Sequence, residues 1–408
     1  MGRFIIEGGN RLCGEMTVSG SKNAALPIIF ASIITCGISE ITNLPDIEDV
    51  RVAIELVREL GGKIERVGSK TYIDTSNLRY IVPSSSLTNK IRASTYLLGS
   101  ELARFGRAEI LKFGGCNFSL RPIDMHLSAL ESFGASILGN SITIVKPHNA
   151  TVIFRQKSVG ATVNALIFAS SIEGESTLVG AAREPHIDAL IEFLLSAGAH
   201  IHSDGDVIKV SGGRLGGGRV TIPGDMIEAG TYLAMSLATD GDVKVGGVSP
   251  CELSSFLDPF IDSGSLVTEW GECVSVSCRA EKRVEIFTAP YPGFPTDLQP
   301  IAAPIMALGA GGVITDTVWP ERFGYLNELG KMGVHYQLFG NTAEIYPSEI
   351  HNGTVRATDL RGGAAMLISA LASRGQSEIL SAELLMRGYE QPTEKLARLG
   401  AKIKYVDG

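Results

Sequence analysis

Apolar residues return at intervals of three and four along several stretches of this chain, and six of those stretches stop at a glycine. Val50, Val52, Ile54, Leu56, Val57 and Leu60 lead to Gly61, and Ile187, Leu190, Ile191, Leu194 and Leu195 lead to Gly198. Such spacing predicts a helix with one buried face. A glycine just past its end accepts a left-handed backbone at little steric cost. The glycines stand at 61, 134, 198, 264, 333 and 400, separated by 73, 64, 66, 69 and 67 residues. After each one the chain runs into an extended segment, as at Lys63-Ile64 and Lys402-Ile403. Each unit also has room for a second, more apolar helix, for example Asn23 to Ile34, Ala161 to Ile172 and Ile227 to Ala238. So even a period marks one structural unit copied six times, with the coarse order β-α-β-α-β-β. The fold class expected is α/β (α+β), in two domains of three units, because 408 residues exceed what a single core usually serves. One domain is expected over 22–227 and the other over 1–21 plus 228–408.

Composition narrows the class. Apolar residues make up 44% of the chain and charged residues 20%, which is the balance of a packed protein rather than a disordered one. A net charge of −8 argues against a general binder of nucleic acid or of anionic membranes. The longest apolar stretch, Ala24 to Ile38, is too short to span a bilayer and contains Pro27 and Ser32, so it reads as a buried helix. No secretory pattern follows Met1, and the six cysteines (13, 36, 116, 251, 273, 278) show no paired C-x-x-C spacing. A cytoplasmic protein with neither disulfides nor a metal site is expected.

Polar, glycine-containing segments interrupt the repeat at similar places. Ser19-Gly20-Ser21-Lys22-Asn23 opens an apolar helix, where the exposed N–H groups and a lysine favour an anion; a solvated lysine beside a cap is the plainer reading. Gly114-Gly115-Cys116 begins a loop that ends at Arg121-Pro122, with a helix expected near Pro122 and a thiol open to tuning. His126 is either a core or a surface histidine. Ser158-Val159-Gly160 stands at another helix start, as an N-cap or a phosphate loop. Three prolines rigidify the run from Pro290 to Pro295, which leads to Asp297, either an N-cap or a general base. Arg322, Arg361 and Arg387 each fall at a strand-to-helix junction, read as equivalent points of three different units. Arginines converging from several units trap carboxylate and phosphate groups, and in an acidic chain they point to a small anionic substrate.

Eight motifs in order resemble the enolpyruvyl transferase family over essentially all 408 residues. They are Ser19 to Pro27, Gly114-Gly115-Cys116, Arg121 to His126, Ser158 to Thr162, Ala181 to Pro185, Phe294 to Asp297, Ala357 to Arg361 and Arg387 to Glu390. The resemblance implies a two-domain inside-out α/β barrel of six βαβαββ repeats. It implies transfer of an enolpyruvyl group from phosphoenolpyruvate to the 3′-hydroxyl of UDP-N-acetylglucosamine with release of phosphate, the first committed step of peptidoglycan synthesis. It implies no cofactor, no nucleic-acid or membrane partner, and a monomer or weak homo-oligomer.

By the same resemblance, Cys116 is a general acid on a closing loop and a target of epoxides such as fosfomycin, and Asp297 accepts the sugar hydroxyl proton. Lys22, Arg121 and Arg387 would hold the donor phosphate, and Arg322 and Arg361 its carboxylate. Asn23 and Val318 would meet the sugar, and Arg92 would line the cleft. Arg121, Pro122, Ile123, Asp124, Met125 and His126 form the uridine run, and Ser158, Val159 and Gly160 the diphosphate loop. Asp359 and Glu184 match family acids near the site. Departures from the family pattern, at Ser119, Gln156-Lys157 and Trp319-Pro320-Glu321, fall near the acceptor and the cysteine loop rather than among the donor residues. The alternatives are a paralogue acting on another uridine nucleotide, the shikimate-pathway transferase, an RNA 3′-phosphate cyclase and a non-catalytic nucleotide sensor.

Overall fold

The computed structural model describes residues 2–115 and 122–408, so expectations placed on Cys116, Ser119 and Arg121 lie outside the described residues. The chain forms two compact units, one from residues 2–19 and 224–408, the other from 20–115 and 122–223, and each has its own apolar core. Among the described residues no helix is long and apolar enough to cross a membrane. The apolar run after Ala24 is instead a buried helix, Lys22–Ala31, followed by a short 3-10 turn.

One repeat shows the expected order without interruption. Strand Thr151–Ile153 leads through helix Val159–Ala169 to strand Gly174–Val179, then through helix Pro185–Ser196 to strands His200–Asp204 and Val207–Gly212. The first two strands pair in parallel, and the last two close the sheet antiparallel. Sheets of this kind bury alternate residues. In strand Val284–Thr288, for instance, Val284, Ile286 and Thr288 face inward while Glu285 and Phe287 face solvent. Beneath the sheets lie the apolar helices. Met226–Ala238, Gln299–Leu308 and Leu360–Ala372 pack on one another in one unit, and Leu97–Phe105 packs on both Lys22–Ala31 and Val159–Ala169 in the other. Small residues permit the close approach: a Cβ at Gly99 in helix Leu97–Phe105 would stand 2.7 Å from the carbonyl of Asn164 in helix Val159–Ala169.

The six copies are not simple tandem units. Strand Arg219–Thr221 completes the sheet of Ile38–Thr42, and Cys13–Thr17 completes that of Asp242–Gly246. Strand Arg3–Gly8 lies between Gly375–Leu380 and Lys402–Val406. Three copies therefore take a strand from distant sequence, an exchange that glycine spacing cannot reveal. One copy also departs from the six-fold rule: among the described residues the sheet of Arg107–Glu109, Ser141–Thr143 and Ser136–Leu138 has three strands, without the parallel edge strand found in the other five.

All six period glycines adopt the expected left-handed backbone, with φ between 94° and 110°. Their hydrogen bonds repeat as well. The N–H after each glycine donates to the carbonyl five residues earlier: Gly62 to Val57, Ala135 to Leu130, Ala199 to Leu194, Ser265 to Phe260, Val334 to Leu329 and Ala401 to Leu396, at 2.9–3.2 Å. Each glycine N–H donates to the carbonyl three residues back, as Gly61 does to Arg58. These two bonds satisfy carbonyls that a helix end leaves open and turn the chain back as a strand. Surroundings set the cost of replacing the glycine. A Cβ at Gly264 would meet Glu281 at an ordinary 3.5 Å, whereas one at Gly333 would stand 2.7 Å from the carbonyl of Glu349. Gly264→Ala should lower stability by about 1 kcal/mol through backbone strain alone, and Gly333→Ala by roughly 2–3 kcal/mol because a carbonyl must also move. Urea denaturation of the two variants, with equal losses as the contrary result, checks this.

Candidate active site

Expected site residues gather at the N-terminal ends of the buried helices. Lys22 begins helix Lys22–Ala31, and its Nζ lies 3.3 Å from Asp49 Oδ2 in the first turn of helix Glu48–Glu59. With side-chain exposures of 13% and 5%, this pair is no solvated surface contact. Asn23 follows half-buried. Ser158 caps Val159–Ala169, its Oγ accepting from the amide of Ala161 at 3.4 Å, while Val159 and Gly160 form the first turn. Asp359 caps Leu360–Ala372: its Oδ1 accepts from the amides of Arg361 at 2.9 Å and Gly362 at 3.2 Å. The family acid at this position is thus occupied in fixing the backbone of Arg361. Glu184 precedes helix Pro185–Ser196, and its Oε2 is buried with no hydrogen-bond partner among the described residues.

Asp297 is not an N-cap; the cap of Gln299–Leu308 is Leu298. Its carboxylate is instead held between two arginines. Arg322 Nη1 reaches Oδ1 at 2.8 Å, and Arg361 reaches Oδ2 through Nη2 at 3.1 Å and Nε at 3.3 Å. The guanidinium groups are almost wholly buried, at 5% and 2% side-chain exposure, whereas Asp297 keeps 29%. Burial works against the charge of Arg361, but Asp297 foremost, then Tyr389 and Asp225, outweigh it and hold the proton more firmly than in a free arginine. Tyr389 also receives Arg361 Nη1 at 3.3 Å on its hydroxyl, and its ring lies 5.6 Å beneath the guanidinium. That hydroxyl is in turn bonded to Thr231 Oγ1 at 2.9 Å. A planar cation set in this way is a rigid receptor for a carboxylate.

Arg387 closes the 3-10 turn Ala382–Arg387 and is half-buried. The three arginines come from two repeats rather than three. Arg322 follows strand Gly312–Asp316, while Arg361 and Arg387 both belong to the repeat of Thr354–Arg356 and Gly375–Leu380. Counting junctions along the chain did not distinguish the two junctions within a single repeat. Val318 sits in the turn before Arg322 with its amide 2.9 Å from Asp316 Oδ1.

In the other unit, the helix expected near Pro122 starts at Asp124 and runs to Ser132. Pro122 and Asp124 are exposed, Ile123 and Met125 half-buried, and Asp124 pairs with Arg155. His126 is a core histidine at 6% exposure. Asn164 Nδ2 donates to its Nδ1 at 2.8 Å, and Asn164 Oδ1 accepts from the amide of Gly99 at 2.7 Å. One asparagine thus ties three helices together, and only glycine fits at 160, where a Cβ would stand 2.6 Å from the imidazole. Burial, then the charge of Arg92, push His126 down to about 4, with Asp124 opposing. Burial likewise works against the charge of Arg92 itself. The sequence reading missed Asn164, the seat of Arg361 on Tyr389, and the buried Asp316. The first is visible as an amide inside a largely apolar helix, but its partners His126 and Gly99 are not. Among the described residues no group of three or more His, Cys, Asp or Glu side chains could hold a metal ion.

Comparison with known proteins adds an independent line. The family profile described as EPSP synthase (3-phosphoshikimate 1-carboxyvinyltransferase) matches residues 6–396. A protein of Caldanaerobacter subterraneus subsp. tengcongensis named UDP-N-acetylglucosamine 1-carboxyvinyltransferase 3 is 41% identical, covering 99% of each chain. One of Symbiobacterium thermophilum named UDP-N-acetylglucosamine 1-carboxyvinyltransferase 2 is 38% identical over 99% of this chain and 98% of its own. Among solved structures, the enolpyruvyl transferase NikO from Streptomyces tendae superposes with a TM-score of 0.88 at 25% identity, covering 100% of this chain and 99% of its own.

The buried imidazole makes stability depend on pH. His126 folds with a pKa of about 4, below its ordinary 6.5, so its contribution is complete above 6.5 and is lost as pH falls toward 4. Through that window the unfolded chain gains a proton that the folded one refuses, a loss of about 3 kcal/mol in full. Unfolding free energies measured from pH 7.5 to 4 should fall more steeply for the native protein than for His126→Gln. Parallel slopes would show that the imidazole titrates freely.

Proposed function

The chain belongs to the EPSP synthase family, and on that premise we propose that it transfers the enolpyruvyl group of phosphoenolpyruvate to the 3′-hydroxyl of UDP-N-acetylglucosamine and releases phosphate. Identity of 41% and 38% over whole chains to relatives named for that acceptor supports it over another uridine nucleotide. The single observation that carries the donor half is the pair of buried guanidiniums of Arg322 and Arg361, facing one partly exposed carboxylate.

The proposed roles follow from charge. The donor carboxylate takes the places on Arg322 and Arg361 that Asp297 occupies in the free protein. Exchange frees Asp297 from two cations, and a carboxylate so released becomes a stronger base. It accepts the proton of the sugar hydroxyl as that oxygen bonds to the central carbon of the donor. Cys116, outside the described residues, gives its proton to the methylene carbon in the same step, which leaves a phospho-ketal. Phosphate then leaves as the Cys116 thiolate takes back a proton from the newly formed methyl group, which restores the double bond. Lys22, Arg121 and Arg387 are assigned to the donor phosphate, where fixed positive charge stabilises the leaving group. Asn23, Arg92, Val318 and the runs 121–126 and 158–160 are assigned to the nucleotide sugar. Because His126 is buried and hydrogen-bonded to Asn164, its part there is to brace the run rather than to transfer a proton.

Phosphate release with phosphoenolpyruvate and a panel of acceptors tests this reading. UDP-N-acetylglucosamine should turn over, whereas shikimate 3-phosphate and other uridine nucleotides should not. Asp297→Asn should lower kcat by about 10²–10⁴-fold. Arg361→Ala should raise KM for phosphoenolpyruvate far more than KM for the acceptor. Undiminished turnover in Asp297→Asn would remove the carboxylate from its role, and turnover of a different acceptor alone would replace the sugar.

A further inference from the structure

Asp316 is fully buried at the end of strand Gly312–Asp316, and its carboxylate receives four hydrogen bonds. Its Oδ1 accepts from Thr288 Oγ1 at 2.7 Å, the Val318 amide at 2.9 Å and the Trp319 amide at 2.7 Å. Its Oδ2 accepts from Thr296 Oγ1 at 2.7 Å. The donors lie on three separate segments. Thr288 ends the parallel neighbour strand, directly opposite Asp316 in register. Thr296 ends the proline-rich loop and is adjacent to Asp297. Val318 and Trp319 open the turn that delivers Arg322, whose Nη1 reaches Thr296 Oγ1 at 3.3 Å as well as Asp297 Oδ1 at 2.8 Å. The backbone of Asp316 is itself anchored: its amide donates to Asn341 O at 2.9 Å, and its carbonyl accepts from Asn341 Nδ2 at 3.2 Å.

We infer that Asp316 is a positioning residue that sets the spacing between Asp297 and Arg322, acting through Thr296 on one side and the 318–319 amides on the other. The inference rests on the site reading proposed above. Donors to a carboxylate can be backbone or hydroxyl groups, and here each points into the same pair of oxygens from a different segment. The loop that carries the base and the turn that carries the arginine therefore share one fixed reference. Neither segment is regular structure, and besides Asp316 they are linked directly by the contacts of Arg322 with Asp297 and Thr296. A misplacement of about 1 Å in such a pair is enough to cost on the order of 100-fold in rate.

Asp316→Asn keeps the shape but turns one acceptor into an NH2 facing Thr296, and Thr296→Val removes the other end of that bond. Both variants are to be measured for kcat, KM, melting temperature and the titration of the Asp297 carboxyl by 13C NMR, assigned by difference against Asp297→Asn. Expected are a fall in kcat/KM for phosphoenolpyruvate of about 10–100-fold and a titration of Asp297 at higher pH, because a less closely held Arg322 depresses it less. The double variant should lose less than the product of the two single losses, since both remove the Asp316–Thr296 bond while Thr296→Val also removes the contact with Arg322. A purely structural aspartate would lower the melting temperature while leaving the Asp297 titration and the kinetics per folded molecule unchanged, and that result overturns the inference. Should Asp316→Asn not fold, Thr296→Val carries the same readouts. A native protein without turnover would sink the transferase reading, yet the titration would still decide the role of Asp316.

Discussion

The turn made by a left-handed glycine, closed by the same two backbone bonds six times, is the constraint on which the rest of this molecule depends. It ends the more exposed helix of each repeat and sends the chain back as a strand over the buried one. The buried helices are lined with alanine, leucine and isoleucine, and Leu360–Ala372 has all but one of its thirteen residues buried. Their interiors leave no room for unpaired polar groups, whose burial costs several kcal/mol. Chemistry is therefore confined to the ends. Lys22, Ser158, Asp225, Asp297 and Arg361 all fall within two residues of the start of such a helix. The N–H groups at helix starts favour negative charge, and Asp225 and Asp359 already cap them in this way.

Much of this was legible in the sequence because it depends on local rules. A helix stripe, a glycine and an extended run leave a pattern that survives divergence of the residues between them. The segments that carry Lys22, Ser158, Asp297 and Arg361 were also visible, as polar interruptions of apolar runs. What could not be read is what depends on pairing across distance. Nothing at Arg219 shows that its strand joins Ile38–Thr42, and nothing at Arg3 shows that the N-terminus fills the last sheet. Asp316 illustrates the same limit within the site. Thr315-Asp316-Thr317 reads as an ordinary polar strand end, and only the fold brings Thr288 and Thr296 to its carboxylate. His126 was left open between core and surface because its deciding partner, Asn164, lies in another helix 38 residues further along the chain.

Three buried or half-buried aspartates near the arginines have different duties, and their partners distinguish them. Asp359 spends Oδ1 on two amides at a helix start, and Asp316 spends both oxygens on hydroxyls and amides. Neither is described in a hydrogen bond with a guanidinium side chain. Asp297 alone meets Arg322 and Arg361, and it alone keeps appreciable exposure. Neutral donors fix a carboxylate in place without tying it to a charge that a substrate would claim. Cationic partners make a bond that a second carboxylate can inherit.

That inheritance explains how so buried a pair of arginines can serve a binding step at all. Stripping water from two guanidiniums is expensive, and leaving them unpaired in the core would cost several kcal/mol more. In the free protein Asp297 meets this demand. In the proposed binding step the donor carboxylate replaces Asp297 on the two arginines, so their desolvation is already complete and little of it is charged against binding. On that proposal Asp297 loses two cations and meets the acceptor hydroxyl with its basicity raised. Donor binding and activation of the base are then a single electrostatic event. An acceptor that arrives first meets a carboxylate still neutralised by two arginines, so the charge arrangement itself favours deprotonation only after the donor is in place.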